Sequence, residues 1–150
     1  MPRKISTLVR EQVQQRAAFL CEYCHTDEHW QLVPFTVDHT LPGSVGGDEN
    51  VENLALACFH CNRHKSDKQS VFDAATEKGI LLFNPRHMLW AEHFIWSADG
   101  LRVLPLSDIG RVTIELLRLN RERVLRLRQD DIAINRHPPI ADPRESSSIS

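Results

Sequence analysis

Four cysteines constrain the fold of this 150-residue chain more than any other feature. They form two Cys-x-x-Cys pairs, the first at Cys21 and Cys24 and the second at Cys58 and Cys61. Such a turn presents two thiolates to one ion, and tetrahedral zinc takes four soft ligands. The pairs therefore predict one structural zinc ion shared by two knuckles, in preference to four buried free thiols. The 33 residues from 25 to 57 must then fold between the knuckles.

The composition narrows the class of protein. With 41% apolar and 25% charged residues the chain falls in the normal range for a globular protein, and no run of about 18–20 apolar residues could cross a membrane. The first residues lack the apolar segment of a signal peptide. A net charge of −2 argues against a protein that coats nucleic acid by bulk charge. We expect a cytoplasmic protein without a membrane segment, acting as a monomer or a homodimer.

The distribution of charge is more informative than its sum. Residues 21–60 contain no Lys or Arg. Positive charge lies on either side of them: both Lys and Arg occur in residues 1–20 and 63–68, and Arg alone occurs in residues 111–128. Basic flanks around an acidic centre suit an enzyme that grips phosphates and holds a cation. The same pattern would also arise from three solvated helix faces.

Apolar periodicity and turn residues predict a mixed α+β chain. The elements expected before the second knuckle are a helix over 6–20, a strand over 31–39, a loop over 41–48 and a strand over 53–58. Ser6 or Thr7 can cap the helix. Pro34 restricts the first strand to a sheet edge or an irregular start, because proline cannot donate to a ladder.

Beyond the second knuckle the pattern predicts three further elements. They are a helix over 62–78, a β-hairpin of residues 92–97 and 101–104, and a long arginine-containing helix over 108–131. Gly79 would end the first of these helices, and Asp99-Gly100 would turn the hairpin. We expect a core over residues 1–78, an extension over 79–135 and a disordered tail over 136–150.

Candidate catalytic residues lie between and just after the knuckles. Asp38 and His39 end the first expected strand, Asn53 follows fourteen positions after His39, and Asn62 follows the second knuckle directly. Carboxylate and amide oxygens suit Mg²⁺ or Mn²⁺ rather than zinc. A neighbouring histidine titrates near neutrality and can take a proton from water. One cation and one imidazole base are sufficient for phosphodiester hydrolysis.

At this point the sequence resembles the HNH endonuclease family. The matching residues are Cys21-Glu22-Tyr23-Cys24, Val37-Asp38-His39, Pro42, Gly46-Gly47, Asn53-Leu54 and the run from Cys58 to Lys65. The resemblance covers about residues 5–70, and its strength lies in the order and spacing of these elements.

The resemblance implies a ββα-metal (His-Me finger) core of two strands and a helix around one divalent ion. It implies Asp38 and Asn62 as ligands of a catalytic Mg²⁺ or Mn²⁺ and His39 as the general base. Asn53 would hold the loop that positions His39, and the zinc knuckles would be structural. The third position of the family name is Asn62 rather than His, which leaves His64 as a rival ligand. We prefer Asn62, because a residue two positions further along a helix points elsewhere.

Basic residues after the second knuckle are candidate DNA contacts. Arg63, Lys65 and Lys68 would contact the phosphate backbone, which gives affinity without sequence choice, or would simply be solvated. The three aromatic residues of the expected hairpin region are Trp90, Phe94 and Trp96. They could stack on bases, although a core that holds the hairpin is the favoured interpretation.

The function expected from these features is metal-dependent endonucleolytic cleavage of DNA. Water deprotonated by His39 would attack phosphorus in line, and the resemblance implies 5′-phosphate and 3′-hydroxyl products. The rival class is a non-catalytic zinc module that binds nucleic acid or protein, which would need the cysteines but not Asp38, His39 and Asn62. A nuclease acting on RNA or on branched junctions is a third possibility.

Overall fold

The computed structural model describes residues 5–41 and 50–139. Most of the predicted loop over 41–48, and the part of the predicted tail from residue 140 onwards, lie outside these ranges. Short helices alternate with two-stranded antiparallel sheets in the described residues, so the predicted α+β class is confirmed. Within them, no helix has the length and apolar character needed to cross a bilayer.

The chain divides into two compact units. Unit 1 is the chain up to Lys68 together with Asn84–Arg86, and unit 2 is Gln69–Phe83 together with the chain from His87 onwards. The predicted division into a core over 1–78 and an extension over 79–135 stays a prediction.

In the residues of unit 1 that the structure describes, there are four regular elements and two 3₁₀ turns. They are, in chain order, α1 (Thr7–Arg16), a 3₁₀ turn (Glu28–Trp30), β1 (Thr36–His39), a 3₁₀ turn (Val51–Asn53), β2 (Leu54–Ala57) and α2 (Phe59–Lys65). Ser6 caps α1, because its side chain accepts a hydrogen bond from the Val9 amide at 3.2 Å. The helix stops earlier than predicted, since Ala18 and Phe19 both adopt positive φ.

Strands β1 and β2 form an antiparallel pair in which His39 faces Leu54 and Thr36 faces Ala57. All four residues of β2 are buried. The second predicted strand is confirmed, whereas the first is shorter than predicted because residues 31–35 do not pair. Leu32 is fully exposed, and the Phe35 amide donates to the Glu28 carboxylate at 2.8 Å instead of to a strand.

The predicted helix over 62–78 is wrong. Helix α2 ends at Lys65, Ser66 follows with a positive φ, and unit 2 opens with the hairpin β3 (Ser70–Asp73) and β4 (Lys78–Leu81). The Asp73 carboxylate closes this hairpin by accepting from the amide and the hydroxyl of Thr76, at 3.2 and 2.7 Å. A carboxylate that satisfies the turn in this way competes with helix formation.

The second hairpin is confirmed with narrower bounds. The remaining elements of unit 2 are α3 (Trp90–His93), β5 (Phe94–Trp96), β6 (Val103–Pro105), α4 (Asp108–Leu117) and α5 (Glu122–Ala133). Trp90, Phe94 and Trp96 are buried, and ring centroids 5.1 and 5.6 Å from Trp90 make them one cluster. The aromatic residues therefore form core, as favoured above.

The predicted long helix is two helices. Arg118 takes a left-handed conformation after α4, and the Asn120 side chain then bonds both the amide and the carbonyl of Val103 at 2.8 Å. The guanidinium of Arg128, on α5, donates to the Leu119 carbonyl at 2.7 Å. Side-chain hydrogen bonds thus stabilise the break between the two helices, and the spacing of apolar residues gives no sign of these bonds.

Candidate functional site

The four cysteines meet in unit 1. All are buried, their sulfur atoms lie within 4.8 Å of one another, and the Sγ atoms of Cys24 and Cys58 are 3.8 Å apart. Tetrahedral zinc with bonds of about 2.3 Å separates its sulfur ligands by about 3.8 Å. Hydrogen bonds from the neighbouring thiols hold the pKa of Cys24 well below its usual value, whereas burial raises the pKa of Cys21 and hydrogen bonds from the other thiols raise that of Cys61. The soft donors and their spacing fit a zinc ion, which these four residues would hold.

Local backbone bonds shape each knuckle. In the first, the Cys21 amide donates to Thr26 and the Cys21 carbonyl accepts from His25, both at 2.9 Å, and His25 takes a positive φ. In the second, Cys58 is the N-cap of α2 and its sulfur accepts from the Cys61 amide at 3.4 Å. The second knuckle therefore fixes where α2 begins.

A buried polar cluster surrounds Asp38, which lies on β1 and is 4% exposed. The hydroxyl of Tyr23 donates to Asp38 Oδ2 at 2.6 Å, and the ammonium of Lys65 lies 3.2 Å from the same oxygen. Burial raises the pKa of Asp38, while Lys65 and then Tyr23 act in the opposite direction. Burial also raises the pKa of Tyr23 well above its usual value, so its hydroxyl stays protonated and donates.

Asn53 holds the two residues that follow His39. Its Oδ1 accepts from the Thr40 hydroxyl at 2.9 Å and from the Leu41 amide at 2.8 Å, and its Nδ2 donates to the Leu41 carbonyl at 3.0 Å. The Thr40 amide also donates to the Asn53 carbonyl at 2.8 Å. These bonds fix the chain directly where β1 ends.

His39 lies on β1 and Asn62 on α2, the two elements that carry Asp38 and Lys65. His39 is half-buried at the end of β1, and its carbonyl accepts from the Lys65 ammonium at 3.4 Å. Asn62 is half-buried on α2, three residues before Lys65, and residues so spaced share a helix face. Because Lys65 reaches Asp38, Asn62 lies on the side of α2 that faces β1. His64 bonds back to the His60 carbonyl at 2.9 Å and stacks on the His60 ring at 3.9 Å.

The three basic residues expected to contact DNA differ in exposure. Arg63 and Lys68 are exposed, as a phosphate contact requires. Lys65 is only 2% exposed and is paired with Asp38. Its place on α2 is readable from the sequence, because Lys65 lies four residues after Cys61 and therefore on the same, buried face.

Two further contacts in unit 1 were not predicted from the sequence. Tyr23, inside the first knuckle, reaches Asp38, and the pairing has no signal in the spacing of these residues. Glu22 joins three segments of unit 1: its carboxylate accepts from the Leu56 amide at 2.8 Å and pairs with the Arg86 guanidinium. The Asn84–Arg86 segment thereby braces the first knuckle.

Comparison with known proteins gives one match. No curated protein and no solved structure matches the chain. The family model described as HNH endonuclease matches residues 20–68, a range that contains all four cysteines, Asp38, His39, Asn53 and Asn62. This match agrees with the resemblance found in the sequence: residues 20–68 are similar to the HNH endonuclease family.

Proposed function

We propose that this HNH-like domain hydrolyses phosphodiester bonds in DNA as an endonuclease, with one divalent ion and His39 as the general base. The observation that carries the proposal is the Asn53 clamp. Three side-chain hydrogen bonds hold Thr40 and Leu41, the residues immediately after His39. A base at the end of a strand needs such support, because nothing in the ladder itself fixes its direction beyond the last pair.

In this proposal β1, β2 and α2 are the ββα-metal core. Asp38 on β1 and Asn62 on α2 would hold Mg²⁺ or Mn²⁺, since both offer hard oxygen donors. Among the described residues, Tyr23 and Lys65 contact Oδ2 of Asp38, so we assign the ion to Oδ1. The donor set therefore fits a hard divalent cation, which when bound would stabilise negative charge on the phosphate and the leaving oxygen.

The residues of this chain would divide the chemistry as follows. His39 accepts the proton of a water molecule, which attacks phosphorus in line with the leaving 3′-oxygen. Asn53 keeps His39 in place through Thr40 and Leu41. The products would carry 5′-phosphate and 3′-hydroxyl ends.

The remaining parts have supporting roles in the proposal. The four cysteines would hold a structural zinc ion, which replaces the larger apolar core that so small a domain lacks. Arg63 and Lys68, both exposed, would contact phosphates of the DNA backbone. The ammonium of Lys65 is committed to Asp38 instead, so we do not assign it to DNA.

A nicking assay on supercoiled plasmid tests the proposal. We expect zinc-loaded protein to relax the plasmid in Mg²⁺ or Mn²⁺ but not in EDTA, and we expect His39→Ala to cut at least about 100-fold more slowly. His87→Ala, which removes an exposed histidine, is the matched control and should cut normally. Equal cleavage by His39→Ala would refute His39 as the base. Plasmid binding without any cleavage would favour the non-catalytic zinc module, and parallel RNA and branched substrates would reveal another nucleic acid as the target.

A further inference from the structure

Tyr23 connects the zinc knuckle to the proposed catalytic ion. It is one of the two residues between Cys21 and Cys24, it is completely buried, and its hydroxyl donates to Asp38 Oδ2 at 2.6 Å. The knuckle that carries Tyr23 is tied to β2, since the Glu22 amide donates to the Leu56 carbonyl at 2.9 Å and the Glu22 carboxylate accepts from the Leu56 amide at 2.8 Å. The hydroxyl therefore approaches Asp38 from a rigid support.

Lys65 approaches the same carboxylate oxygen from α2, at 3.2 Å. A carboxylate oxygen has two in-plane acceptor positions, and Tyr23 and Lys65 together account for two contacts on Oδ2. In the described part of the chain neither bond falls on Oδ1. The carboxylate is thus held through Oδ2.

We propose that Tyr23 is a positioning residue that orients the Asp38 carboxylate so that Oδ1 alone binds the catalytic divalent ion. The inference rests on the proposed function, because it requires Asp38 to be a metal ligand. Hydrogen-bond partners of ligating residues orient the ligand, and their loss typically weakens metal binding about 10–100-fold.

The opposing interpretation is that the hydroxyl only satisfies its own burial. A buried tyrosine hydroxyl needs an acceptor, and Asp38 would serve even if it bound nothing else. This interpretation predicts that removing the hydroxyl lowers stability without changing metal affinity. A test must therefore measure binding of the ion itself, in addition to activity.

The test compares Tyr23→Phe with Thr113→Val in the full-length, zinc-loaded chain. Thr113 is also completely buried, and its hydroxyl accepts from the Phe83 amide at 2.9 Å in unit 2, so both variants lose one buried, bonded hydroxyl. Mn²⁺ affinity is measured from the electron paramagnetic resonance signal of free Mn²⁺. Zinc content and thermal unfolding are recorded for each variant.

We expect Tyr23→Phe to bind Mn²⁺ about 10–100-fold more weakly at unchanged zinc content, and Thr113→Val to bind it as the wild type does. We also expect the cleavage rate of Tyr23→Phe to recover at saturating Mn²⁺, because the orienting hydrogen bond changes the affinity for the ion more than the rate of phosphodiester hydrolysis. Unchanged Mn²⁺ affinity in Tyr23→Phe would overturn the inference. Asp38→Asn separates this failure from a failure of the proposed function, since a wild-type affinity in Asp38→Asn would show that Asp38 is not a ligand.

Discussion

The Asn53 clamp yields the sharpest prediction about catalysis. Asn53→Ala removes three hydrogen bonds of 2.8–3.0 Å, two of them to the Leu41 backbone and one to the Thr40 hydroxyl. A hydrogen bond contributes a net stabilisation of roughly 0.5–1.5 kcal/mol, and partial exposure places these at the low end. For three bonds we therefore expect a loss of about 1.5 kcal/mol in the free energy of unfolding.

The effect on cleavage should exceed the effect on stability. The clamp acts on the residues directly after His39, and a displacement of a catalytic group by about 1 Å can slow a reaction roughly 100-fold. Single-turnover nicking of plasmid by zinc-loaded protein measures this rate, and urea unfolding measures stability. We expect the rate to fall about 100-fold at temperatures where the variant remains folded.

Asn50 offers a matched control. It is also an asparagine, three residues earlier, and its Oδ1 caps the 3₁₀ turn by accepting from the Glu52 amide at 3.1 Å. Asn50→Ala should lose about 1 kcal/mol of stability and keep its cleavage rate. Wild-type cleavage by folded Asn53→Ala, or an equal loss of rate in Asn50→Ala, would refute the argument that the clamp positions His39.

Two further predictions concern the stability of the fold. Removing zinc with a chelator, or replacing Cys61 with Ser, should unfold the HNH-like domain and abolish its near-ultraviolet circular dichroism, because structural zinc contributes about 10–16 kcal/mol and whole domains are stable by about 5–15 kcal/mol. Hydrogen bonds from Arg111 and then Thr76 hold the pKa of Asp73 well below its usual value. A carboxylate whose pKa is lowered by folding stabilises the folded state at pH values above its unfolded pKa of about 3.9. The difference in the free energy of unfolding between wild type and Asp73→Asn should therefore be complete near pH 6. It should shrink as the pH falls below about 4. Urea unfolding across this range checks the sign, and a difference that grows towards acid pH would contradict it.

The sequence predicted best the features that local chemistry determines alone. Two Cys-x-x-Cys pairs predicted one cluster because few arrangements other than a shared ion bring four thiols together. Ser6 predicted the start of α1, since a hydroxyl before a helix has an amide to bind. The Asp-Gly pair correctly located the second hairpin, where Gly100 takes the positive φ that glycine tolerates.

Periodicity failed where a side chain bonds across the fold. Residues 62–78 carry helix-like spacing, yet Asp73 binds Thr76 and Arg111 and thereby stabilises a hairpin. Residues 108–131 show one apolar stripe, yet Asn120 bonds β6 and interrupts the helix. Arg111 lies 38 residues from Asp73 and Val103 lies 17 residues from Asn120, so apolar periodicity carries no sign of either contact.

The buried position of Lys65 could have been predicted from the sequence. Arg63, Lys65 and Lys68 are all basic, but helix geometry separates Lys65 from the other two. Cys61 must face the zinc cluster, and a residue four positions later shares that face, so Lys65 is directed into the fold. A lysine there needs an anionic partner, because an unpaired buried ammonium is too costly. Within residues 25–57, the strand that ends at His39 offers Asp38, and the structure pairs Lys65 with Asp38 at 3.2 Å. The position of Cys61 therefore predicts that Lys65 lies beside Asp38, the proposed ligand of the catalytic ion.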